Sequence, residues 1–187
     1  MSRVQWTIRE FDAARDTDAV SRLDTCYTSD RIYCVRREGD AILLEPQNLE
    51  TSRRKRFPVD LDEAWSHASV AVIDDEVRGF IAWDLEGWNR RMRIWHFYID
   101  LPYRRRGGGR ILMDAALAWA RGAGAVTAWV ETSQVNHPGI VAYRRLGFDI
   151  CGFDTTLYRG TSAEGETAVY MARPLGVGEV ESAGSSV

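Results

Sequence analysis

The sequence predicts one α/β domain, built on a mixed central β-sheet that carries helices on both faces. Short β-rich runs separated by turn residues dominate the first half, and helical periods alternate with β-rich runs in the second half. A chain of 187 residues is also long enough to bury about 70% of its unfolded surface in a single core. We therefore expect one folded domain over residues 1–174 and a flexible tail over residues 175–187, where small and acidic residues predominate.

The N-terminal segment predicts a strand followed by a helix. Residues 7–11 alternate in polarity like a short strand. Apolar residues from Val20 to Tyr27 then recur at helical spacing, behind a cap expected at Asp16 or Thr17. This segment therefore predicts the first helix of the domain.

Two hairpins and one further strand are predicted in the middle of the chain. Each hairpin consists of two apolar runs that flank a short polar turn, at Glu38–Asp40 and at Asp74–Glu76. The paired runs are 32–35 with 41–44, and 70–73 with 77–83. Residues 93–101 form a further β-rich run, which we expect to be the central strand.

The pattern changes to a helical period after Gly109. Apolar residues from Leu112 to Trp119 share one face, which predicts an amphipathic helix with Trp119 in the core and an end near Gly122. The remaining predicted elements are a strand at 125–130, a short helix at 138–145, and strands near 148–157 and 167–172.

Charge and composition argue against several functional classes. Lysine and arginine total 24 against 27 acidic residues, and a net charge of −3 argues against a nucleic-acid binder with a basic face. No apolar stretch is long enough to span a bilayer, and the first residues lack the apolar block of a signal peptide. We therefore expect a cytoplasmic protein with neither a nucleic-acid nor a membrane partner.

No metal or redox site is predicted. The three cysteines are odd in number and too widely spaced for a disulfide framework or a C-x-x-C site: Cys26, Cys34 and Cys151. His67 and His137 have no second ligand at metal spacing, so surface or cap positions are expected for them. The basic run Arg53–Arg56 is typical of a solvated loop.

A glycine-rich turn at Tyr103–Arg110 joins the predicted central strand to the predicted amphipathic helix. The first N–H groups of a helix have no intrahelical partner, and glycines let successive amides face one point. The helix dipole adds positive potential there, so the turn can bind a phosphate or a pyrophosphate. It lacks the Gly-Lys-Ser/Thr of a P-loop and the third glycine of a dinucleotide fingerprint. On these residues alone, a flexible surface loop remains the alternative.

Two motifs carry a family resemblance. The spacing Arg104-x-x-Gly107-x-Gly109 resembles the pyrophosphate loop of the GCN5-related N-acetyltransferase (GNAT) family. Residues 136–148 are similar to that family's downstream motif of an asparagine, a short helix with a tyrosine, and a terminal Gly-Phe. Because both motifs occur in the family's order, the domain over residues 1–174 is identified as an N-acetyltransferase domain.

Three later segments resemble the streptothricin acetyltransferases within that family. They are Glu131–Thr132, Cys151–Tyr158 and Glu164–Met171. The resemblance implies acetylation of an amine on the β-lysine part of a cationic antibiotic, and hence antibiotic resistance, with acetyl-CoA as co-substrate and no metal. The part of the chain before Trp88 resembles these enzymes in the order of its predicted elements and much less in residue identity.

The resemblance also implies that acetyl-CoA binds along the central strand and the glycine-rich turn. Backbone groups of the strand would pair with the pantetheine, the amides of the turn would hold the pyrophosphate, and the asparagine would hold the pantetheine arm or the strand end. The residues concerned are Phe97, Tyr98, Ile99, Arg104, Arg105, Arg106, Gly107, Gly108, Gly109, Arg110, Asn136 and Tyr143.

By motif position, Tyr143 supplies a proton to the departing thiolate after direct attack of the amine on the thioester. The amine must first lose a proton, since its unperturbed pKa is about 10.4. Streptothricin acetyltransferases commonly carry an acid on the central strand, whereas this chain has Trp95 there. We therefore expect either His96 or a water relay to a carboxylate elsewhere to act as the base.

The acceptor amine is expected beside the outer end of the central strand, where aromatic faces and carboxylates would attract a cation. Candidate contacts are Trp88, Trp95, Glu131, Asp154 and Tyr158. Further acids that could form an acidic wall are Asp84, Glu86, Glu164 and Glu166. The expected partner is a small-molecule amine, and the expected assembly is a monomer or a homodimer. Two other functions stay open: acetylation of a protein or peptide amine, and acyl-CoA binding by a non-catalytic regulator.

Overall fold

The computed structural model describes residues 5–57, 59–61 and 65–176. In chain order the elements are β1 (Thr7–Glu10), α1 (Ala13–Ser21), β2 (Cys26–Glu38), β3 (Ala41–Arg56), β4 (His67–Ile73), β5 (Glu76–Glu86), β6 (Arg91–Ile99), α2 (Gly108–Gly122), β7 (Thr127–Ser133), α3 (His137–Arg145), β8 (Asp149–Asp154) and β9 (Ala168–Pro174). One turn of 3-10 helix at Leu101–Tyr103 lies between β6 and α2. Residues 177–187, which belong to the tail predicted to be flexible, lie outside the described residues.

Seven of the described strands form one mixed sheet in the order β1-β4-β5-β6-β7-β9-β8. Among these seven, β6 and β7 pair in parallel, and the other neighbours pair antiparallel. Strands β2 and β3 pair with each other in a separate antiparallel hairpin. The mixed sheet and both predicted hairpins are thus confirmed.

The two faces of the sheet carry separate apolar cores. On one face, called the α2 face, Leu112 and Met113 of α2 pack in a cluster with Met92 of β6 and with residues of α3. On the opposite face, called the α1 face, Val20 of α1 packs with Phe80 and other residues of β4 and β5. Helices therefore lie on both faces, as predicted, and the core on the α1 face is centred on the β4–β5 side of the sheet.

Helix α1 begins and ends earlier than predicted. Its cap is Asp12, whose side chain accepts the N–H group two residues further on at 2.9 Å. Neither Asp16 nor Thr17 is the cap, because both lie within the helix. Asp16 is buried, and its carboxylate oxygens accept hydrogen bonds from the Arg9 guanidinium at 2.6 and 2.7 Å. The helix ends at Ser21, so the later residues of the predicted helical pattern lie beyond it.

Trp119 is only partly buried, contrary to the prediction that it lies in the core. The buried stripe of α2 consists of Gly108, Leu112, Met113, Ala116, Leu117 and Ala120. Trp119 is 38% exposed, and its ring lies 4.1 Å from that of His67 and 5.5 Å from that of Trp83, measured between centroids. A helix turns by about 100° per residue, which puts position 119 at the edge of the stripe.

The basic run Arg53–Arg56 belongs to strand β3, contrary to the prediction of a loop. It pairs with residues 26–29 of β2. The three arginines of the run are exposed, whereas Lys55 is partly buried. Because successive side chains of a strand point to opposite faces, Lys55 is directed away from its two arginine neighbours in sequence.

The folded domain extends past the predicted boundary to include Leu175. This residue is buried in the α2-face core, and its N–H group donates to the carbonyl of Val126 at 2.9 Å. Its own carbonyl accepts a hydrogen bond from the Arg121 side chain at 3.1 Å. Across the described ranges of the chain, no helix has both the length and the apolarity to cross a bilayer.

Candidate active site

The two central strands, β6 and β7, stop pairing with each other about half-way along their length. Strands β6 and β7 pair over residues 91–94 and 127–130, and within the described residues their pairing ends there. Strand β6 continues to residue 99 and β7 to residue 133. Two parallel strands that separate in this way leave a space between them, lined by polar backbone groups. We call this space, between residues 95–99 and 131–133, the β6–β7 slot.

A β-bulge lies at the start of the slot. Trp95 has no partner residue in β5, because its two neighbours in β6 pair with consecutive residues of that strand. Ile94 and Phe97 consequently both pack on the α2-face core, although they are an odd number of residues apart. His96 instead lies against Phe80 on the α1 face, with 6.0 Å between ring centroids. Nothing in the sequence marks this bulge.

The glycine-rich turn forms the predicted junction between strand and helix. Arg105 and Gly107 have positive φ angles of 60° and 90°, and α2 begins at Gly108. Among the described residues, no backbone carbonyl accepts a hydrogen bond from the amides of residues 105–109. A Cβ atom on Gly107 would meet nothing within 4 Å, so the space beside this residue is open. The turn therefore presents N–H groups that can receive an anion.

Trp6 supports the turn from β1's side of the molecule. Its indole N–H donates to the carbonyl of Arg106 at 2.9 Å. Its ring also covers Gly108, where a Cβ atom would come within 2.4 Å of the ring. Only glycine permits this approach, so Trp6 and Gly108 together hold the turn in place.

The Arg104 guanidinium is bound by backbone carbonyls of the protein itself. It donates to Ile99 at 2.8 Å, Cys26 at 2.5 Å and Asp24 at 3.1 Å. Burial lowers the pKa of this guanidinium, and the nearby acids Asp24 and Asp100 oppose that effect. The resemblance placed Arg104 among the cofactor-binding residues. Here its side chain ties the turn to β6 and to the start of β2, and its contact with the cofactor stays a prediction.

Helix α3 places Tyr143 on the α2-face side of the slot. Its side chain is buried, with its ring centroid 5.9 Å from that of Phe97 and 5.7 Å from that of Phe148. Burial raises the pKa of Tyr143, and the neighbouring Tyr98 and Glu131 raise it further. Tyr143 therefore keeps its proton at neutral pH, as a proton donor must.

Asn136 caps α3 and holds the end of β7. Its Oδ1 accepts the N–H of Gly139 at 3.1 Å, and its Nδ2 donates to Thr132 Oγ1 at 3.0 Å. A Cβ atom on Gly139 would come within 2.2 Å of the Asn136 amide, so glycine is required there. These contacts agree with the expected strand-end function of Asn136, and its contact with pantetheine stays a prediction.

His96 is a buried residue in contact with Tyr98. Its side chain is 5% exposed, and its Nδ1 lies 3.3 Å from the Tyr98 hydroxyl. Tyr98 in turn influences the pKa of Tyr143. The contact of His96 with the slot is therefore indirect and passes through the Tyr98 hydroxyl.

Glu131 is the first residue of β7 beyond the segment that pairs with β6. Its carboxylate accepts a hydrogen bond from the Tyr158 hydroxyl. Burial raises the pKa of Tyr158, and the charge of Glu131 raises it further. The same carboxylate also raises the pKa values of Tyr143 and Tyr170. One carboxylate at the slot is thus within electrostatic reach of three tyrosines.

Trp95, which replaces the acid expected on the central strand, is hydrogen-bonded to an acid from the next strand. Its indole N–H donates to Asp84 Oδ2 at 2.7 Å. The Arg93 guanidinium lies 3.7 Å from the centroid of the Trp95 ring and 5.8 Å from that of Trp129. The α1 face therefore has a carboxylate next to the bulge, and this carboxylate comes from β5 and not from the central strand β6.

The same face continues through aromatic residues to a second acid. The rings of Trp129 and Tyr170 are 5.1 Å apart, and the Tyr170 hydroxyl donates to Asp154 at 3.4 Å. Hydrogen bonds from Thr156 and nearby backbone N–H groups lower the pKa of Asp154, so it is charged at neutral pH. We call the following set the acceptor face: Asp84, Trp95, Trp129, Glu131, Asp154, Tyr158 and Tyr170.

Four of the five predicted substrate contacts belong to the acceptor face. Trp88 does not, because it lies in the turn between β5 and β6 and is 87% exposed. Of the other acids considered for an acidic wall, Glu86 is paired with Arg91 at 2.9 Å, and Glu164 lies in the loop after β8. Glu166 pairs with Lys55.

Sequence reasoning missed several residues of this region. The missed residues are Trp129, which is two residues before the predicted Glu131 on β7, and Tyr170, which pairs with Glu131 from β9. Period-two spacing along two predicted strands was the signal that could have placed them on one face. Arg93 and Lys55 gave no such signal, because their partners are distant in sequence.

The portion of the chain that the structure describes holds no group of three His, Cys, Asp or Glu side chains that could bind a metal ion. Cys26, Cys34 and Cys151 are free thiols. His67 begins β4 and His137 begins α3, and both side chains are partly buried.

Comparison with known proteins identifies the family. The model of the acetyltransferase (GNAT) family matches residues 41–148, which is more than half of the chain. The chain belongs to this GNAT family. In agreement, a streptothricin acetyltransferase of Streptomyces lavendulae is 36% identical over 187 aligned residues, which cover 93% of this chain and 99% of that protein.

Solved structures show the same fold. The crystal structure of nourseothricin acetyltransferase has a TM-score of 0.84 and 38% identity, and the match covers 91% of this chain and 99% of that one. A Bacillus anthracis crystal structure that contains acetyl coenzyme A has a TM-score of 0.77 at 22% identity, with the same coverage. This GNAT protein is accordingly an acetyl-CoA-dependent N-acetyltransferase, as the two motifs predict.

The site of this GNAT enzyme fits its acetyl donor. The amides of residues 105–109 and the open space beside Gly107 suit a pyrophosphate. The β6–β7 slot offers strand backbone for the pantetheine amides, and Tyr143 lies at its side. The individual contacts of the residues assigned to acetyl-CoA stay predictions.

We expect Gly107→Val to weaken acetyl-CoA binding by at least about tenfold, because a β-branched side chain strains the positive φ of 90° and fills the space beside the amides. Calorimetric titration with acetyl-CoA measures the effect. The matched control is Gly124→Val, at the other end of α2, with a φ of 83° and equally open surroundings. Equal affinities of the two variants would contradict the assignment of the turn.

Proposed function

We propose that this enzyme acetylates a primary amine of a polycationic small molecule, with streptothricin as the first candidate, and so confers resistance to it. The observation that supports this most directly is the acceptor face, whose Trp95 and Glu131 adjoin the slot and whose other acids and aromatic rings continue from there across the sheet. Both kinds of group attract ammonium ions. The similarity to a streptothricin acetyltransferase over 93% of the chain supports the same substrate class.

The proposed reaction is direct attack of the amine nitrogen on the thioester carbonyl carbon. A C–N bond forms, the C–S bond breaks, and the electron pair of that bond leaves with the sulfur. Backbone N–H groups at the bulge around Trp95 are assigned to the developing oxyanion, because a bulge takes backbone groups out of the ladder. Tyr143 then donates its proton to the thiolate. The second proton, which the nitrogen loses as it becomes an amide, restores the tyrosine hydroxyl through solvent, and the thiol and the amide leave.

We assign removal of the amine proton to Glu131 through one water molecule. Glu131 adjoins both the slot and the acceptor face, and it has a second function in accepting the Tyr158 hydrogen bond. Asp84 is less suited, because its oxygens already accept hydrogen bonds from Trp95 and from the N–H of Ser66, each at 2.7 Å. His96 is the alternative, and it could act only through Tyr98 or after a movement that exposes it.

The cytoplasm is the proposed site of this reaction. The free thiols of Cys26, Cys34 and Cys151 fit a reducing compartment.

The function is tested by measuring thiol release from acetyl-CoA with a panel of acceptors. We expect kcat/KM for streptothricin to exceed that for a lysine-containing peptide by at least about a hundredfold, because one flexible peptide amine engages few groups of the acceptor face. Polyamines of matched charge control for simple attraction of cations. Faster acetylation of the peptide would favour a protein or peptide acetyltransferase, and binding of acetyl-CoA without any turnover would favour a regulator.

Tyr143→Phe is expected to lower kcat by at least about tenfold and to leave the acetyl-CoA Kd nearly unchanged. The variant removes the proton that the thiolate needs, whereas the ring contacts with Phe97 and Phe148 remain. Single-turnover kinetics at saturating substrates isolate the chemical step. An unchanged rate of that step would show that Tyr143 only packs the core.

The identity of the base is tested with Glu131→Gln and His96→Gln. We expect Glu131→Gln to lose at least about tenfold in kcat/KM across the pH range, since Gln still accepts the Tyr158 hydrogen bond and loses only the proton-accepting charge. We expect His96→Gln to keep the pH profile of the parent enzyme. A rising limb with a pKa of about 6 to 7 that disappears in His96→Gln would instead identify His96 as the base.

A further inference from the structure

The Lys55 ammonium is paired with a carboxylate near the acceptor face. The ammonium of Lys55 contacts both carboxylate oxygens of Glu166, at 2.6 and 2.7 Å. The Ser133 hydroxyl donates to the same carboxylate at 2.5 Å. Lys55 comes from the β2–β3 hairpin, Glu166 from the loop between β8 and β9, and Ser133 from β7. Three separate segments of the chain therefore meet at this carboxylate.

Lys55 is unusual in the composition of the chain. It is the only lysine, and the other 23 of the 24 basic residues counted as Lys+Arg are arginines. It is therefore the only side chain with a primary ammonium, the group that the proposed acceptor carries. Its side chain is 29% exposed and that of Glu166 is 17% exposed, so the pair is reachable from solvent.

Glu166 contacts the same strand that carries Glu131. Ser133, which contacts it, is two residues beyond Glu131 on the same face of β7, and two residues of a strand span about 7 Å. The charges of both Glu131 and Glu166 raise the pKa of Tyr158, so both carboxylates are near this tyrosine. An acceptor with its reacting amine at Glu131 would thus bring a second ammonium, a few carbons away, to Glu166.

We propose that Glu166 is the subsite for a second ammonium group of the acceptor, and that Lys55 is an internal cation that occupies this subsite until the acceptor displaces it. The proposal rests on the proposed function, because it specifies where a polycation binds. Lys55 keeps Glu166 in position in the free enzyme and competes with the acceptor for it. Lys55 is therefore a specificity residue that makes the subsite accessible only to a cation able to displace an ammonium.

The first test removes the competitor. We expect Lys55→Met to lower the KM for streptothricin and for 1,5-diaminopentane by about fivefold with little change in kcat, since a partly exposed ion pair is weak. Lys55→Arg, which keeps the cation, should stay near the parent value. Arg54→Met removes a charge from the neighbouring exposed residue and should also leave KM unchanged. The KM for n-pentylamine, which has no second ammonium, should respond to none of these variants.

The second test removes the carboxylate. We expect Glu166→Gln to raise the KM for the diamine by about tenfold while kcat is retained, because Gln keeps an acceptor for the Ser133 hydroxyl. In the double variant, Lys55→Met should no longer lower KM, which gives a non-additive mutant cycle. Thermal unfolding of each variant shows whether the hairpin has been loosened. If Lys55 has only a structural function, Lys55→Met should alter stability and kcat together. If Lys55 acts through its charge, Lys55→Arg should retain the KM of the parent enzyme.

Two results overturn the proposal in different ways. If the parent enzyme acetylates streptothricin and Lys55→Met leaves its KM unchanged or raises it, the subsite is wrong and the proposed function stands. If the parent enzyme releases no thiol with any polycation, both the proposed function and the subsite are wrong.

Discussion

The end of the parallel pairing between β6 and β7 is the constraint on which the rest of the site depends. Beyond residues 94 and 130 the two central strands no longer share a ladder, and the bulge at Trp95 marks the change. The glycine-rich turn follows β6, Glu131 follows the paired segment of β7, and α3 brings Tyr143 to the same place. The glycine-rich turn, Tyr143 and Glu131 thus all lie beside one break in one ladder.

The features of this arrangement that depend on local sequence could be predicted. The glycine-rich turn and the α3 motif are contiguous, and their residue types follow from backbone conformation and capping, as at Gly107 and Asn136. Both hairpins were marked by turn residues between apolar runs. The family resemblance then implied which of these residues bind acetyl-CoA or take part in the reaction.

The remaining features depend on contacts between residues that are far apart in sequence. The bond from Trp95 to Asp84 forms because β5 lies beside β6, and the inward position of Arg104 results from carbonyls of a segment 78 to 80 residues away. Trp119 lies at the edge of the buried stripe of α2, because its direction around the helix axis differs slightly from that of the buried residues. Such outcomes are settled by packing against partners that a periodic pattern does not specify.

The β2–β3 hairpin and the glycine-rich turn are both held by contacts with distant segments of the chain. The turn is held by partly buried side chains, through the hydrogen bonds of Trp6 and Arg104. The hairpin is held by apolar packing, since Tyr33 is buried in the α2-face core, and by polar contacts such as that of Lys55 with Glu166. The pair of Lys55 and Glu166 is partly exposed, so substitutions there should have little effect on a core.

The position of β9 determines when the site can be completed during synthesis. Strand β8 pairs only with β9 among the described strands, and β9 lies between β8 and β7. A nascent chain that ends before Ala168 therefore lacks Tyr170 and the strand that joins β8 to β7, so Asp154 is not yet connected with Trp129. The glycine-rich turn, by contrast, lies about sixty residues before β9 and is synthesised earlier. The acceptor face is therefore the last part of the candidate site for which the growing chain supplies its residues.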